Sequence, residues 1–131
     1  MMGNQALVYL AWVAFFTSLM WVPYILNMIL VRGLWDAVGY PENPKPMAPW
    51  TEKAKAAHYN AVENLVVFAP LVILASMMNM ANDATATAAL VYLIARIVHF
   101  FVYTFAIPLL RTLSFVVGWG ATVAVAAQIL F

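Results

Sequence analysis

The sequence predicts an all-α integral membrane protein, a single domain of four helices packed as an up-down bundle. Composition is the first reason: of 131 residues, 66% are hydrophobic and only 8% are charged, and the mean hydropathy is +0.91. Soluble domains are about a quarter charged, and a chain this short has too small a core to bury so much apolar surface. The second reason is the presence of four apolar stretches, each long enough to cross a bilayer.

We expect these four helices at about residues 5–31, 54–80, 84–107 and 112–131 of a single domain spanning 1–131. Pro23 lies inside the first stretch, and because its ring removes one helical hydrogen bond, it predicts a kink there. The later helices are joined by short connections, which make neighbouring helices antiparallel.

Residues 32–53 form the one long polar stretch. Four closely spaced prolines in it preclude a regular helix, so we expect a loop. Thr51 is the expected N-cap of the second helix, with Glu52 in its first turn.

The basic residues predict the orientation of the bundle. Apart from Arg96, every Lys and Arg lies on the side of the first and third loops. The turn between the second and third helices carries only Asp83. The positive-inside rule therefore places loops 1 and 3 in the cytoplasm. The residues concerned are Arg32, Lys45, Lys53, Lys55 and Arg111.

Composition also excludes several classes of function. A net charge of +1 without basic runs gives no argument for a nucleic-acid partner. The absence of cysteine excludes disulfides, thiolate metal sites and a cysteine nucleophile. The two histidines and few carboxylates do not have ligand spacing, so no metal is expected.

Ionisable groups inside a bilayer are costly and mark candidate functional sites. Arg96, His99 and Tyr103 have i, i+3, i+7 spacing and share one face of the third helix. Asn60 and Glu63 crowd one side of the second helix. Glu63 lies roughly 12 Å from the cytoplasmic end and Arg96 roughly 18 Å, with His99 between them in depth. We therefore predict an ion pair between Glu63 and Arg96.

The two polar stripes open towards the basic rim and predict a hydrated pocket for an anionic ligand, with Arg111 at its mouth. A structural alternative stays open, because buried Glu–Arg pairs and Asn side chains also serve only to hold membrane helices together.

Two motifs resemble signatures of the MAPEG family, the membrane-associated proteins of eicosanoid and glutathione metabolism. Residues 57–64 (AHYNAVEN) are similar to the A-H-x-N-x-x-E-N signature of its second helix. Residues 96–99 (RIVH), followed by Tyr103 and by residues 108–115, look like its second signature. The resemblance covers the whole chain, including its length, its large first loop and its predicted orientation.

The resemblance implies a homotrimer that holds glutathione as co-substrate in cytoplasm-facing pockets between adjacent subunits. It implies contacts from Asn60 and Glu63 to the polar backbone of the tripeptide, with Glu63 near the amino group. The pocket residues that it implies are Asn60, Glu63, Arg96, His99 and Tyr103.

The resemblance also implies a catalytic pair, Arg111 near the thiol and Thr112 where a hydroxyl residue is common. A cation beside the sulfur lowers the pKa of the glutathione thiol and raises the thiolate fraction. The implied activity is that of a membrane glutathione transferase or peroxidase acting on lipophilic electrophiles or lipid hydroperoxides from the lipid.

Two departures keep alternatives open. Ala56 and Tyr59 stand where glutathione-using members carry arginines, so Lys53, Lys55 or Arg32 would have to replace them. The pattern is closer to the family's bacterial branch, which implies the bacterial inner membrane. The alternatives are a non-catalytic membrane adaptor that binds a lipid or a partner protein, and an accessory subunit of a larger membrane complex.

Overall fold

The computed structural model describes residues 2–131, with side chains from Asn4 onward, and over that range it contains helices and no strand. Four segments are long and apolar enough to cross a membrane, which confirms the predicted all-α integral membrane protein. The helices are α1 (Met2–Leu19), α2 (Trp21–Arg32), α3 (Leu34–Val38), α4 (Pro49–Met77), α5 (Asp83–Thr104) and α6 (Pro108–Leu130).

The first span is broken between α1 and α2, where the sequence predicts a kink. Pro23 has no N–H to donate to the carbonyl of Leu19, four residues earlier. The chain tightens at this point, and the Met20 N–H donates to the Thr17 carbonyl at 3.2 Å. As a result α1 packs against α4 and α5, whereas α2 packs mainly against α3 and α4.

The start of α4 differs from the prediction. The helix begins at Pro49 and not near residue 54, because a proline at the first helical position has a suitable φ and needs no hydrogen-bond acceptor. Thr51 is therefore not the N-cap; its hydroxyl donates to the Ala48 carbonyl within the first turn. The Ala48 N–H donates to the Asn27 side chain at 3.2 Å, which joins this turn to α2.

The predicted loop, residues 32–53, is partly ordered. It contains the short helix α3, and the Arg32 Nε donates to the Lys45 carbonyl at 2.7 Å, which holds the loop against the end of α2.

The ends of α4 and α5 have the same hydrogen-bond pattern. At each end, the residue after the C-cap has positive φ: Asn79 at 57° and Ala106 at 59°. After α5, the Ala106 N–H donates to Tyr103 and the Ile107 N–H donates to Val102, the paired bonds of a Schellman motif. Glycine usually occupies this position, since left-handed backbone crowds a Cβ atom.

Helix α5 lies at the centre of the bundle. Of its most apolar stretch, 56% is buried, against 22% in each of the other three spans. Its neighbour α4 is antiparallel and is joined to it by stacked rings of Phe68 and Tyr92, 3.7 Å apart. The far end of α6 returns to the start of α5, where Asn82 donates to Gln128 at 2.7 Å.

The core divides into two clusters of buried side chains. The cluster farther from the basic loops joins α1, α4, α5 and α6 around the stacked Phe68 and Tyr92. The cluster nearer the loops includes Ala54, Ala57 and Ala61, whose small side chains let α4 approach its neighbours closely. Polar residues of α4 and α5 lie between these two clusters.

We expect Ala106→Gly to stabilise the bundle. Glycine removes the steric crowding of Cβ in the left-handed conformation, which costs about 1–2 kcal/mol. Part of this gain is offset because glycine also raises the conformational entropy of the unfolded chain. The expected net increase in the free energy of unfolding is about 0.5–1 kcal/mol, measured by denaturant titration in detergent micelles. Ala127→Gly, inside α6, is the control and should instead lower it by about 1 kcal/mol. Equal losses in both variants would contradict the assignment of strain to Ala106.

Candidate functional site

A cavity of about 450 Å³ opens at the end of the bundle that carries the basic loops. Three helices meet there: the first turns of α4, the end of α5 and the start of α6. Its volume lies within the range of small-molecule sites, about 300–1,000 Å³. The lining residues are Pro49, Glu52, Lys53, Ala56, Tyr103, Ala106, Pro108 and Arg111.

One wall of the cavity is an aromatic and basic column. The Arg111 guanidinium lies over the Tyr103 ring, 5.2 Å from its centroid, in the geometry of a cation–π contact. Tyr103 in turn meets the ring of His99 edge-on at 5.5 Å. His99 also approaches Phe115 of α6, with 6.3 Å between the ring centroids. This column holds Arg111 at the cavity, where its guanidinium is part of the lining.

Lys53 is the second cation of the cavity. Of the three residues that could replace the family's arginines, it alone lines the cavity. Arg32 is engaged with Met28 and the Lys45 carbonyl, and Lys55 lies over the Tyr59 ring at 5.8 Å. Glu52 adds a carboxylate beside Lys53, so the cavity offers charges of both signs.

The predicted ion pair between Glu63 and Arg96 is wrong within the described chain. Arg96 is buried, with 3% of its surface exposed, and its Nη2 donates to Asn60 Oδ1 at 2.8 Å. Glu63 is exposed and contacts no cation within the described chain. The physical reason is helical geometry: Asn60 points into the contact with α5, whereas Glu63, three residues later, is offset by about 60° around the helix axis. This offset places Glu63 on the exposed edge of the same side.

Three buried polar atoms at and near Arg96 have no hydrogen-bond partner within the described residues. They are Tyr92 Oη, Arg96 Nε and His99 Nδ1, all on one face of α5. Buried polar groups are paired in the great majority of cases, by protein or by ordered water. The interior of this polar face thus retains hydrogen-bonding capacity that the protein does not use.

Most of the residues proposed for glutathione continue the walls of the cavity inward. On α4, Lys53, Ala56 and Asn60 lie on one face, with i, i+3 and i+7 spacing. On α5, His99 lies four residues before Tyr103 and therefore one turn deeper on the same face. Only Tyr103 and Arg111 of the predicted set line the cavity itself. Thr112 is exposed beside it, and its hydroxyl donates to the Pro108 carbonyl at 3.3 Å.

Some features escaped the sequence analysis. Lys53 and Glu52 become cavity residues because α4 starts earlier than predicted, which was signalled only by Pro49. His58 bonds to the Tyr24 hydroxyl at 2.6 Å and thereby joins α4 to α2. Within the part of the chain that the structure describes, no three His, Asp or Glu side chains are grouped to hold a metal.

We expect Asn60→Ala to destabilise the protein. It removes the side-chain acceptor for a buried guanidinium, and unpaired buried charges cost about 2–4 kcal/mol. The free energy of unfolding in detergent should fall by about 2 kcal/mol or more. Asn60→Asp, which keeps an acceptor at this position, should retain most of the stability.

The matched control is Glu63→Gln, one turn away on the same helix. Because Glu63 is exposed and has no cation partner within the described residues, this variant should change the free energy of unfolding by less than about 0.5 kcal/mol. A loss in Glu63→Gln as large as that in Asn60→Ala would show that Arg96 depends on Glu63 after all.

Comparison with known proteins identifies the family. The MAPEG family profile matches residues 6–131, nearly the whole chain. No curated protein and no solved structure matches it significantly. The profile match includes both motifs and every residue of the cavity described above. The chain therefore belongs to the MAPEG family.

Proposed function

We propose that this protein is a membrane-bound glutathione transferase or peroxidase that acts on lipophilic electrophiles or lipid hydroperoxides. The observation that carries the proposal is the cavity in which Arg111, held over Tyr103, faces the same space as Lys53. Glutathione, the co-substrate, has two carboxylates, an ammonium and a thiol. A cavity with two cations and one carboxylate complements these charges.

In the proposed complex, Lys53 pairs with a glutathione carboxylate and replaces the arginines that the chain lacks at Ala56 and Tyr59. A lysine is a point charge and cannot form the two parallel bonds of a guanidinium, so weaker binding than in arginine-rich members is expected. Asn60 lies one turn deeper in the membrane than Ala56 and accepts a hydrogen bond from Arg96. In the proposed complex, Asn60 and Arg96 therefore lie beneath the ligand and support the site.

Arg111 is the residue proposed to stabilise the thiolate. Its charge lowers the pKa of the nearby glutathione thiol, since an opposite charge favours the ionised form. In a transferase step, the sulfur forms a bond to an electrophilic carbon and the leaving group departs with its bonding electrons. The exposed Thr112 hydroxyl stands beside Arg111 and can donate a hydrogen bond to the thiolate if it gives up its 3.3 Å bond to the Pro108 carbonyl.

In the peroxidase version, the sulfur attacks the terminal oxygen of a hydroperoxide and the O–O bond breaks. The alkoxide takes the proton released by the thiol and becomes an alcohol. The sulfenic derivative of glutathione then condenses with a second glutathione, giving a disulfide and water. Glutathione supplies both electrons, so no further reductant is required.

A homotrimer is part of the proposal. The outer face of α4 is apolar, with exposed Val62 and Val66 around Glu63. An unpaired carboxylate on a membrane-embedded face is costly towards lipid, which favours an arrangement in which this face meets another subunit. Glu63 would then be available to the ammonium of a glutathione bound between subunits.

Glutathione binding to the detergent-solubilised protein tests the proposal. Wild type should bind glutathione by calorimetry and show the ultraviolet absorbance of a thiolate. Arg111→Ala should abolish the thiolate signal. Lys53→Gln should weaken binding by roughly tenfold, as expected for the loss of about 1.4 kcal/mol from one charged contact.

The control is Lys55→Gln, two residues from Lys53 on the same helix. Lys55 contacts Tyr59 and does not line the cavity, so its removal should leave both signals unchanged. Absence of glutathione binding in the folded wild-type protein would refute the proposal.

A second candidate function is that of a non-catalytic membrane adaptor. The observation that favours it is Ala56 in the cavity wall, because no guanidinium is present there to bind a carboxylate. This candidate predicts a folded protein without a thiolate signal, from which a lipid or a partner protein is recovered. The same calorimetric and absorbance measurements distinguish the two.

A further inference from the structure

A second cavity, of about 410 Å³, lies on the other side of the contact between α4 and α5. It shares no lining residue with the polar cavity, although the two are separated only by the first turn of α4 and the last turn of α5. Pro49 lines the polar cavity and Trp50 this one; Tyr103 lines the polar cavity and Thr104 this one. The lining residues are Pro23, Trp50, Phe100, Phe101, Thr104 and Phe105.

The break before Pro23 accounts for this cavity. Before the break, α1 packs on α5, and Phe16 meets Phe100 edge-on at 5.9 Å. After the break, α2 turns towards α3 and α4 and leaves the last turn of α5 uncovered on this side. The aromatic residues of that turn therefore line open space. Phe100 forms the buried floor, and Phe101 and Phe105 form an exposed rim.

The lining permits only an apolar occupant. Thr104 is its one hydroxyl residue, and that hydroxyl already donates to the Phe100 carbonyl at 2.7 Å. The indole N–H of Trp50, at the rim, has no acceptor within the described chain. A hydrocarbon chain fits such a surface, with a polar group at the Trp50 end, which is the usual depth of tryptophan at a membrane interface.

Charge complementarity indicates which lipid would be favoured. This end of the bundle has an excess of positive charge. Its basic residues are Arg32, Lys45, Lys53, Lys55 and Arg111, and its acidic residues are Asp36, Glu42 and Glu52. Lys53 lies one turn after Trp50 on α4, so a cation is adjacent to the mouth of the cavity. Anionic headgroups are attracted to such a rim.

We propose that this aromatic cavity binds one acyl chain of an anionic membrane phospholipid, whose headgroup lies at the basic rim near Trp50 and Lys53. The aromatic cavity shares no lining residue with the proposed glutathione cavity. Lys53, which lines the glutathione cavity, is the one side chain that both proposals use, and lipid binding does not depend on glutathione. A lipid held here packs against the same turn of α5 that carries Tyr103 on its opposite side.

Quenching of Trp50 fluorescence by brominated lipid tests the proposal. The protein is reconstituted in phosphatidylcholine vesicles containing a minor fraction of phosphatidylglycerol, with bromine on the acyl chains of one lipid or the other. The Trp50 emission is obtained as the difference between wild type and Trp50→Phe. Brominated phosphatidylglycerol should quench it with roughly fivefold preference over brominated phosphatidylcholine at equal mole fraction, equivalent to about 1 kcal/mol for one cation near the surface.

Two variants separate the tail from the headgroup. Thr104→Phe fills the cavity and should abolish the preferential quenching, whereas Thr104→Val keeps its shape and should retain it. Lys53→Gln changes an exposed residue and so leaves the fold intact; it should reduce the preference for phosphatidylglycerol while quenching persists. If Thr104→Phe does not fold, the Lys53→Gln comparison still decides the outcome.

Trp119, exposed on α6 and absent from this cavity, is the internal control. Its emission, isolated with Trp119→Phe, should be quenched equally by both lipids. Equal quenching of Trp50 by the two lipids, no quenching at all, or a preference for phosphatidylglycerol that survives Thr104→Phe would overturn the proposal. The quenching is measured without glutathione, and Trp50 and Thr104 lie outside the glutathione cavity. The two proposals therefore fail independently.

Discussion

The structure depends on keeping one guanidinium inside a membrane-embedded bundle. Arg96 is buried on the central helix α5, and its described hydrogen bond is to the Asn60 side chain of α4. Stranding such a charge is expensive, so α4 and α5 are confined to the register that brings these two residues together. The same register stacks Phe68 on Tyr92 farther along the pair. Around that fixed pair, α1 and α6 complete the core through apolar contacts that are less specific.

The last turn of α5 contributes lining residues to both cavities. On one side it presents Tyr103, with Arg111 over its ring, to a cavity with charged walls. On the other it presents Phe101 and Phe105 to an aromatic cavity without free hydrogen-bonding groups in its floor. A single helical turn thus separates a space suited to a polar molecule from one suited to hydrocarbon. That division is compatible with the proposed glutathione reaction, whose water-soluble and lipophilic reactants would approach from different solvents.

The cations of the polar cavity are not arranged as the family resemblance implies. The resemblance implies arginines on the second membrane span, but Ala56 contributes only a methyl group to the cavity wall and Tyr59 is exposed, under Lys55. The neighbouring Lys53 brings a charge to the same space from one turn earlier. Because a lysine carries its charge on a flexible stem, the position of a bound anion is set less rigidly here than by a guanidinium. The more rigidly placed cation is Arg111, which Tyr103 holds from beneath.

The sequence by itself determined the fold class, the number of membrane spans, the kink near Pro23 and the polar faces of two helices, because these follow from composition and from local helical periodicity. The family was also recognisable, since its first motif lies within one helix and its second is a short local stretch from the end of α5 to the start of α6. Only the tertiary structure decided which polar groups meet. Asn60, and not Glu63, accepts the hydrogen bond from Arg96, because the partner depends on how α4 is rotated about its own axis against α5. It also decided that Lys53 faces the cavity and that α2 leaves α5 uncovered. Pairing across helices and empty space between them arise from packing at a distance in sequence, which local patterns do not encode.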